Sequence, residues 1–230
     1  MTRQTYALLE RYMLSCMEDS AHDAEHIYRV LYHALQIAKT QENVDYDVLI
    51  AACLLHDVGR KEQFADPGLC HAEVGSQKAW SFLVNNGFSE DFAGKVRHCV
   101  LTHRFRKDRH PQTLEAKILF DADKLDVTGA LGIARTLLYQ GDRKQPLYTR
   151  RSDGTVCDGT QNPQNSFFRE YQVKLAKLYD RFYTDEGSRI AGERKQIAEA
   201  FYGSLYREIT MSEAAGGKLL QEKLEECALP

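Results

Sequence analysis

No stretch of this 230-residue chain approaches the roughly 18 consecutive apolar residues that a membrane-spanning helix needs, and its N-terminus has no apolar signal-peptide core. A cytoplasmic protein is therefore expected, without a membrane partner. The charges give no basic surplus: 30 Lys and Arg stand against 33 Asp and Glu, a formal net charge of −3. Nucleic-acid binders usually carry such a surplus, so nucleic acid is not an expected partner. The six cysteines (16, 53, 70, 99, 157 and 227) show no CxxC pair and no framework spacing. That argues against a zinc knuckle or a disulfide scaffold. Cys53 lies within an apolar helical pattern and reads as a buried free thiol. Strand-like alternation of useful length and internal repeats are also missing. With 43% hydrophobic and 27% charged residues the composition is that of an ordinary globular protein.

What is there is helical. Tyr6, Leu9, Met13 and Met17 share one side of a helix over 3–18. Ser20 and Asp23 read as a cap for the next helix, where Ile27, Val30, Leu31, Ala34, Ile37 and Ala38 repeat at helical spacing. His26 and His33 lie along a stripe with Val30, and Arg29 stands beside it. A third helix opens at Asp45 or Asp47 and runs almost wholly apolar into Leu54-Leu55-His56-Asp57-Val58-Gly59, where Gly59 is expected to turn the backbone out. After the Asp66-Pro67-Gly68 turn a helix spans about 70–84, and Ser89 caps another that carries His98 and His103. Thr113 begins a helix containing Asp121-Ala122-Asp123-Lys124-Leu125-Asp126, expected to continue or bend through Gly129 and Gly132. Two further helices are expected over 166–184 and 188–210. The sum is an all-α, single-domain helical bundle over 1–210 with a tail over 211–230.

His26, His56-Asp57 and an aspartate of the 121–123 segment come from three different helices. Two imidazoles and two carboxylates could converge on one divalent cation inside a bundle. Such a mixed donor set suits Mn, Fe, Co, Ni or Mg better than a closed tetrahedral zinc site. A cation so held lowers the pKa of bound water and neutralises phosphoryl charge. Asp121 and Asp123 are roughly 200° apart on a helix, so only one of them can face the cation, and periodicity does not choose between them.

The series His22-Asp23-x-x-His26-x-x-Arg29-Val30, Leu54-Leu55-His56-Asp57-Val58-Gly59 and Asp121-Ala122-Asp123-Lys124-Leu125-Asp126 resembles the HD superfamily of metal-dependent phosphohydrolases, in particular its small stand-alone members. The likeness covers about residues 20–140 by motif. It extends more weakly to 166–210, through Phe167-Phe168-Arg169-Glu170 and Ile190-Ala191-Gly192-Glu193-Arg194. The resemblance implies an all-helical fold and hydrolysis of a phosphate ester or nucleotide phosphoanhydride. It implies one divalent metal, manganese among the candidates, held by His26, His56, Asp57 and, from the Ala-Asp-basic-Leu segment, Asp123.

Around these ligands, Arg29, one turn from His26, is read as a phosphate contact. Asp57 or Glu73 is a candidate proton acceptor. Lys61, beside Arg60, is a candidate phosphate clamp. His71 and His103 are candidate substrate contacts, with a second metal as the alternative. The catalytic set is thus Asp57, Arg29 and Lys61, and the substrate-binding set Arg29, His71, His103 and Lys61. Arg104, Arg106, Lys107 and Arg109 could attract a polyphosphate.

Residues 141–165 lack periodicity, and Gly141, Pro146, Asp153-Gly154, Asp158-Gly159 and Asn162-Pro163 mark a loop. Its Arg143, Lys144, Arg150 and Arg151 fit either a lid meeting an anionic substrate or a plain connector. The leading function is a phosphohydrolase acting on a nucleoside mono- or triphosphate. The alternatives are a cyclic-nucleotide or alarmone hydrolase, or a non-catalytic metal-stabilised binding domain. A small phosphorylated molecule is the expected partner, and a homodimer is left open.

Overall fold

The computed structural model describes residues 1–17, 24–104, 109–161 and 164–226. The Ser20 and Asp23 cap, His22, the basic pair Arg106 and Lys107, Asn162-Pro163 and Cys227 lie outside them. The described chain is all-α, with no strand beyond an isolated bridge between Arg150 and Val156. It forms two compact units, Met1–Asp126 with Arg181–Ile190, and Val127–Asp180 with Ala191–Pro230. None of the described helices is long and apolar enough to cross a membrane.

The first unit contains α1 (Arg3–Met17), α2 (Ala24–Ala38), α3 (Tyr46–Leu55), α4 (Arg60–Ala65), α5 (His71–Asn85), α6 (Glu90–Thr102) and α7 (Leu114–Leu125). The side chain of Asp45 caps α3 by accepting from the amides of Asp47 and Val48. Ser89 and Thr113 do the same for α6 and α7. Buried on all sides, α3 packs against α1, α2, α6 and α7. That explains why its sequence is apolar all round rather than striped. The burial continues past its end, so His56, Asp57, Val58 and Gly59 are all enclosed.

The backbone does turn out of α3 before Gly59, but Gly59 has φ −97°, a value open to other residues, so backbone freedom is not why glycine stands there. A Cβ at this position would run into the carbonyl of His71 and the amide of Gly75. The missing side chain therefore lets α5 close onto the His56-Asp57 turn. Immediately after it the chain forms α4, a helix too short to show a readable period in the sequence.

The second unit contains α8 (Gly129–Asp142), α9 (Phe167–Val173), a 3-10 turn over Leu175–Lys177 and most of α10 (Asp185–Glu226). The helix carrying Asp123 does not run through Gly129 as expected. It stops at Asp126, and α8 restarts at Gly129 with φ +61°, which glycine adopts at little cost. The expected helix over 166–184 leaves α geometry at Lys174 and tightens into the 3-10 turn, which buries Leu175, Leu178 and Tyr179. In contrast α10 runs beyond residue 210 to Glu226 as one helix of 42 residues. The 211–226 stretch is rich in Ala, Leu, Lys, Gln and Glu, good helix formers that carry it through Gly216-Gly217.

Stacking of Tyr171 on Tyr202, with ring centroids 4.2 Å apart, ties α9 to α10. The 141–165 segment is more built than its sequence suggests. The amide of Arg151 donates to the Thr155 carbonyl and that of Cys157 to the Thr149 carbonyl, and Val156 and Cys157 are buried. Arg150 pairs with Glu213 and Arg151 with Asp158, so both charges are engaged inside this unit.

Candidate metal centre

Four histidines and three aspartates of the first unit meet in its interior. Each histidine is held by a hydrogen bond that fixes its tautomer. His56 Nδ1 lies 2.7 Å from the Cys53 carbonyl and His103 Nδ1 2.6 Å from the Val100 carbonyl, each one turn back. His26 Nδ1 lies 2.7 Å from Asp126 Oδ2. His71 Nδ1 lies 2.6 Å from Gln63 Oε1, and the Gln63 amide is oriented by donating its Nε2 to the Leu69 carbonyl. Every one of these partners accepts only, so all four rings carry a proton on Nδ1 and turn Nε2 inward.

The inward atoms form two sets that share one carboxylate. Around Asp57 Oδ2, His26 Nε2 stands at 3.6 Å and His56 Nε2 at 3.7 Å, while Asp123 Oδ1 is 3.5 Å from His26 Nε2. Around Asp57 Oδ1, His71 Nε2 stands at 3.4 Å and His103 Nε2 at 3.6 Å. Within each set two imidazole acceptors face one another, His26 to His56 at 3.4 Å and His71 to His103 at 3.3 Å. With neutral rings, lone pair would face lone pair in a buried site, which is favourable only with an electrophile between them. Both oxygens of Asp57 are also buried without a hydrogen bond. A buried carboxylate left so is costly unless it is paired or coordinates a cation. Donors about 2.0–2.2 Å from one ion stand roughly 3–3.5 Å apart, close to the spacing seen. The residues fit a divalent metal.

The charges are arranged to keep these donors ready. Burial pushes the His56 imidazole down to about 4, and burial together with nearby Arg60 and Arg104 takes His71 down to about 2. Both are therefore neutral near pH 7, as ligation requires. For Asp57, burial alone would raise the carboxyl, but His56 and Arg60 hold it well below the usual range. Asp123 is likewise raised by burial and lowered further by Lys124 and His26. Lys124 Nζ stands 3.1 Å from Asp123 Oδ2 and 4.7 Å from the centre of the Phe120 ring.

Of the two candidate aspartates on α7, Asp123 is the one that meets the histidines. Asp121 faces the other way and accepts from the amides of Tyr183 and Thr184 and from the Thr184 hydroxyl, tying the 181–190 segment to α7. Arg29, read as a phosphate contact, donates through Nε and a terminal nitrogen to Asp126, at 2.7 and 3.2 Å. Lys61 is exposed on α4, and it is its neighbour Arg60 whose Nε comes within 2.9 Å of Asp57 Oδ1, out of line for a hydrogen bond. Glu73 pairs with Arg109 and is not in either donor set. His71 and His103, read as substrate contacts, stand with Asp57 in the second donor set.

Asp126, Gln63 and Arg60 had no role in the sequence reading. Asp126 was signalled there, since it falls three residues after Asp123 on the same stripe. Gln63 and Arg60 depend on α4 and had no such signal.

Residues 23–128 match the HD domain family. That segment is an HD domain. It is 29% identical over 196 residues to YpgQ of Bacillus subtilis, an uncharacterised protein, covering 84% of this chain and 86% of that one. The crystal structure of YpgQ in complex with ADP is 28% identical, with a TM-score of 0.67 over 89% of this chain and 97% of that one. A predicted HD superfamily hydrolase from an uncultured Thermotogales bacterium is 27% identical, with a TM-score of 0.58 over 90% of this chain and 91% of that one. The chain therefore combines an HD domain with a buried donor cluster that suits a divalent cation.

Proposed function

We propose that this HD-domain protein is a divalent-metal-dependent phosphohydrolase acting on nucleotides. The observation that carries the reading is the pair of donor sets sharing Asp57, with four Nε2 atoms and three carboxylate oxygens turned to a common interior. His26, His56, Asp57 and Asp123 hold one cation, and His71, His103 and the other oxygen of Asp57 hold a second. Bound there, divalent metal supplies Lewis acidity toward a phosphoryl group and a water of lowered pKa.

The chain's own part is to orient and to exclude water. Asp126 fixes the His26 tautomer and, through Arg29, is itself held in place. Arg60 and Arg104 bring positive charge to the second set, on the side where an anionic phosphoryl oxygen would be stabilised. Lys61, exposed on α4, is left as the phosphate clamp. Nucleotide is preferred over other phosphate esters because YpgQ has been crystallised with ADP.

The test is a screen of nucleoside mono-, di- and triphosphates with protein stripped of metal and then reloaded with manganese, magnesium or cobalt. Released phosphate and pyrophosphate are resolved from each other. Turnover should appear only on reloading, with two equivalents of metal bound at saturation. Metal-independent turnover, or none on any nucleotide, would overturn the proposal, and saturation at one equivalent would remove the second cation.

A further inference from the structure

Each of the two carboxylates in the donor sets has a basic side chain beside it, and the two are placed differently. Lys124 Nζ stands 3.1 Å from Asp123 Oδ2, whereas the oxygen of Asp123 that meets His26 is Oδ1. Lys124 therefore steadies the carboxylate through one oxygen and leaves the other to the donor set. Arg60 does the opposite. Its Nε stands 2.9 Å from Asp57 Oδ1, the same oxygen that His71 Nε2 and His103 Nε2 approach at 3.4 and 3.6 Å.

This contact is one of charge and not of a directed bond. Arg60 opens α4, three residues after Asp57, and its Nε is buried without a hydrogen-bond acceptor. The side chain is still 25% exposed, so it has a way out to solvent. A cation held roughly 2.0–2.2 Å from Asp57 Oδ1 would be no more than about 5 Å from that nitrogen. Like charges so close in a buried site oppose one another strongly. The first donor set faces Oδ2 and is spared this direct competition.

We propose that Arg60 is an internal competitor for the second cation: it occupies Asp57 Oδ1, must leave that oxygen before a metal binds there, and so decides how many cations the centre carries. At low metal only the first donor set is loaded, and the second fills as the Arg60 side chain withdraws. This role for Arg60 rests on the two donor sets of the proposed function and not on hydrolysis. A nearby positive charge that does not touch the oxygen should not reproduce it. Arg104 supplies that comparison, since its guanidinium is 3.3 Å from His71 Nδ1, the ring nitrogen that does not face Asp57.

The test titrates manganese at fixed pH into full-length protein stripped of metal, with calorimetry for affinity and the electron paramagnetic resonance signal of free manganese for stoichiometry. The parent should bind a first equivalent tightly and a second more weakly. Arg60→Met should tighten the second about tenfold or more and the first by no more than about threefold. Arg60→Lys, which keeps the charge, should leave the second equivalent weak. Arg104→Met should tighten it by no more than about threefold, and adding His71→Ala to Arg60→Met should abolish it. Misfolding does not produce a tighter site, and if Arg60→Met melts early, Arg60→Gln serves in its place with the same shift expected. A second equivalent unchanged in the neutral variants, an equal gain from Arg104→Met, or a gain that survives loss of His71 would each overturn the role of Arg60. One equivalent in parent and variants alike would overturn it together with the second cation and leave the first donor set standing. The predicted shift in a protein that turns over no nucleotide would support the role of Arg60 and overturn only the proposed hydrolysis.

Discussion

On the Oδ2 side of Asp57 stand His26, His56 and Asp123, backed by the carboxylate of Asp126, whereas on the Oδ1 side stand His71 and His103, backed by an amide, a backbone carbonyl and two arginines. Each set has two imidazoles. The first adds a second carboxylate and a histidine whose Nδ1 is held by an anionic partner. The second has no carboxylate of its own, with Arg60 2.9 Å from the shared oxygen and Arg104 3.3 Å from His71 Nδ1. Since Gln63 already accepts the His71 proton, Arg104 acts there as a nearby charge. On the two-cation proposal, the same ligand types would make one position that attracts a cation strongly and another that holds a cation weakly but welcomes an anion beside it.

The largest effect should come from the residue both positions share. Asp57→Ala should keep its helical circular dichroism, bind no metal at either position and lose hydrolysis by at least about a thousandfold. Metal analysis and turnover check this, and retained activity would end the site assignment. Next come changes confined to one side. Asp123→Asn should empty the first position and leave an inactive protein, while His71→Ala should release only the more weakly held equivalent. Equal losses from the two variants would show that the sides do not differ.

Asp126→Asn keeps the shape but replaces an anionic partner of His26 with a neutral one. Metal affinity at the first position should fall about 10–100-fold, read by titration with a competing chelator. Asp121→Asn is its control. It should leave metal content intact and cost about 1–3 kcal/mol of stability through weakened bonds to Tyr183 and Thr184, seen as a lower Tm.

The smallest effect concerns pH in the metal-free protein. His56 and His71 are held well below their ordinary value of 6.5 in the fold, so below pH 6.5 the unfolded chain binds more protons than the folded one. Stability should therefore fall from about pH 6.5 through pH 4, where His56 begins to protonate, and continue to fall for His71. Thermal melts across that range should show the slope, and loading with metal should steepen it, because protons then compete with the cation. A flat profile would mean that the rings are protonated at ordinary values.

Much of this was legible in the chain. The run Val48–Leu55 could only be a buried helix, and residues 56 and 57 follow directly from its end. His26 needed only the stripe it shares with Val30, and Asp45, Ser89 and Thr113 announced their caps. Those features are local, set by hydrogen bonds and spacing within one turn of helix. For the α7 aspartates, spacing gave two faces, and only the packing of α2 and of residues 181–190 on opposite sides of α7 assigned Asp123 to the histidines and Asp121 to Thr184. The reach of Arg29 to a carboxylate 97 residues away, and the meeting of His71 with His103 at Asp57, likewise required tertiary packing. Such contacts depend on how closely α5 approaches the His56-Asp57 turn, which the missing side chain of Gly59 permits but no periodicity encodes.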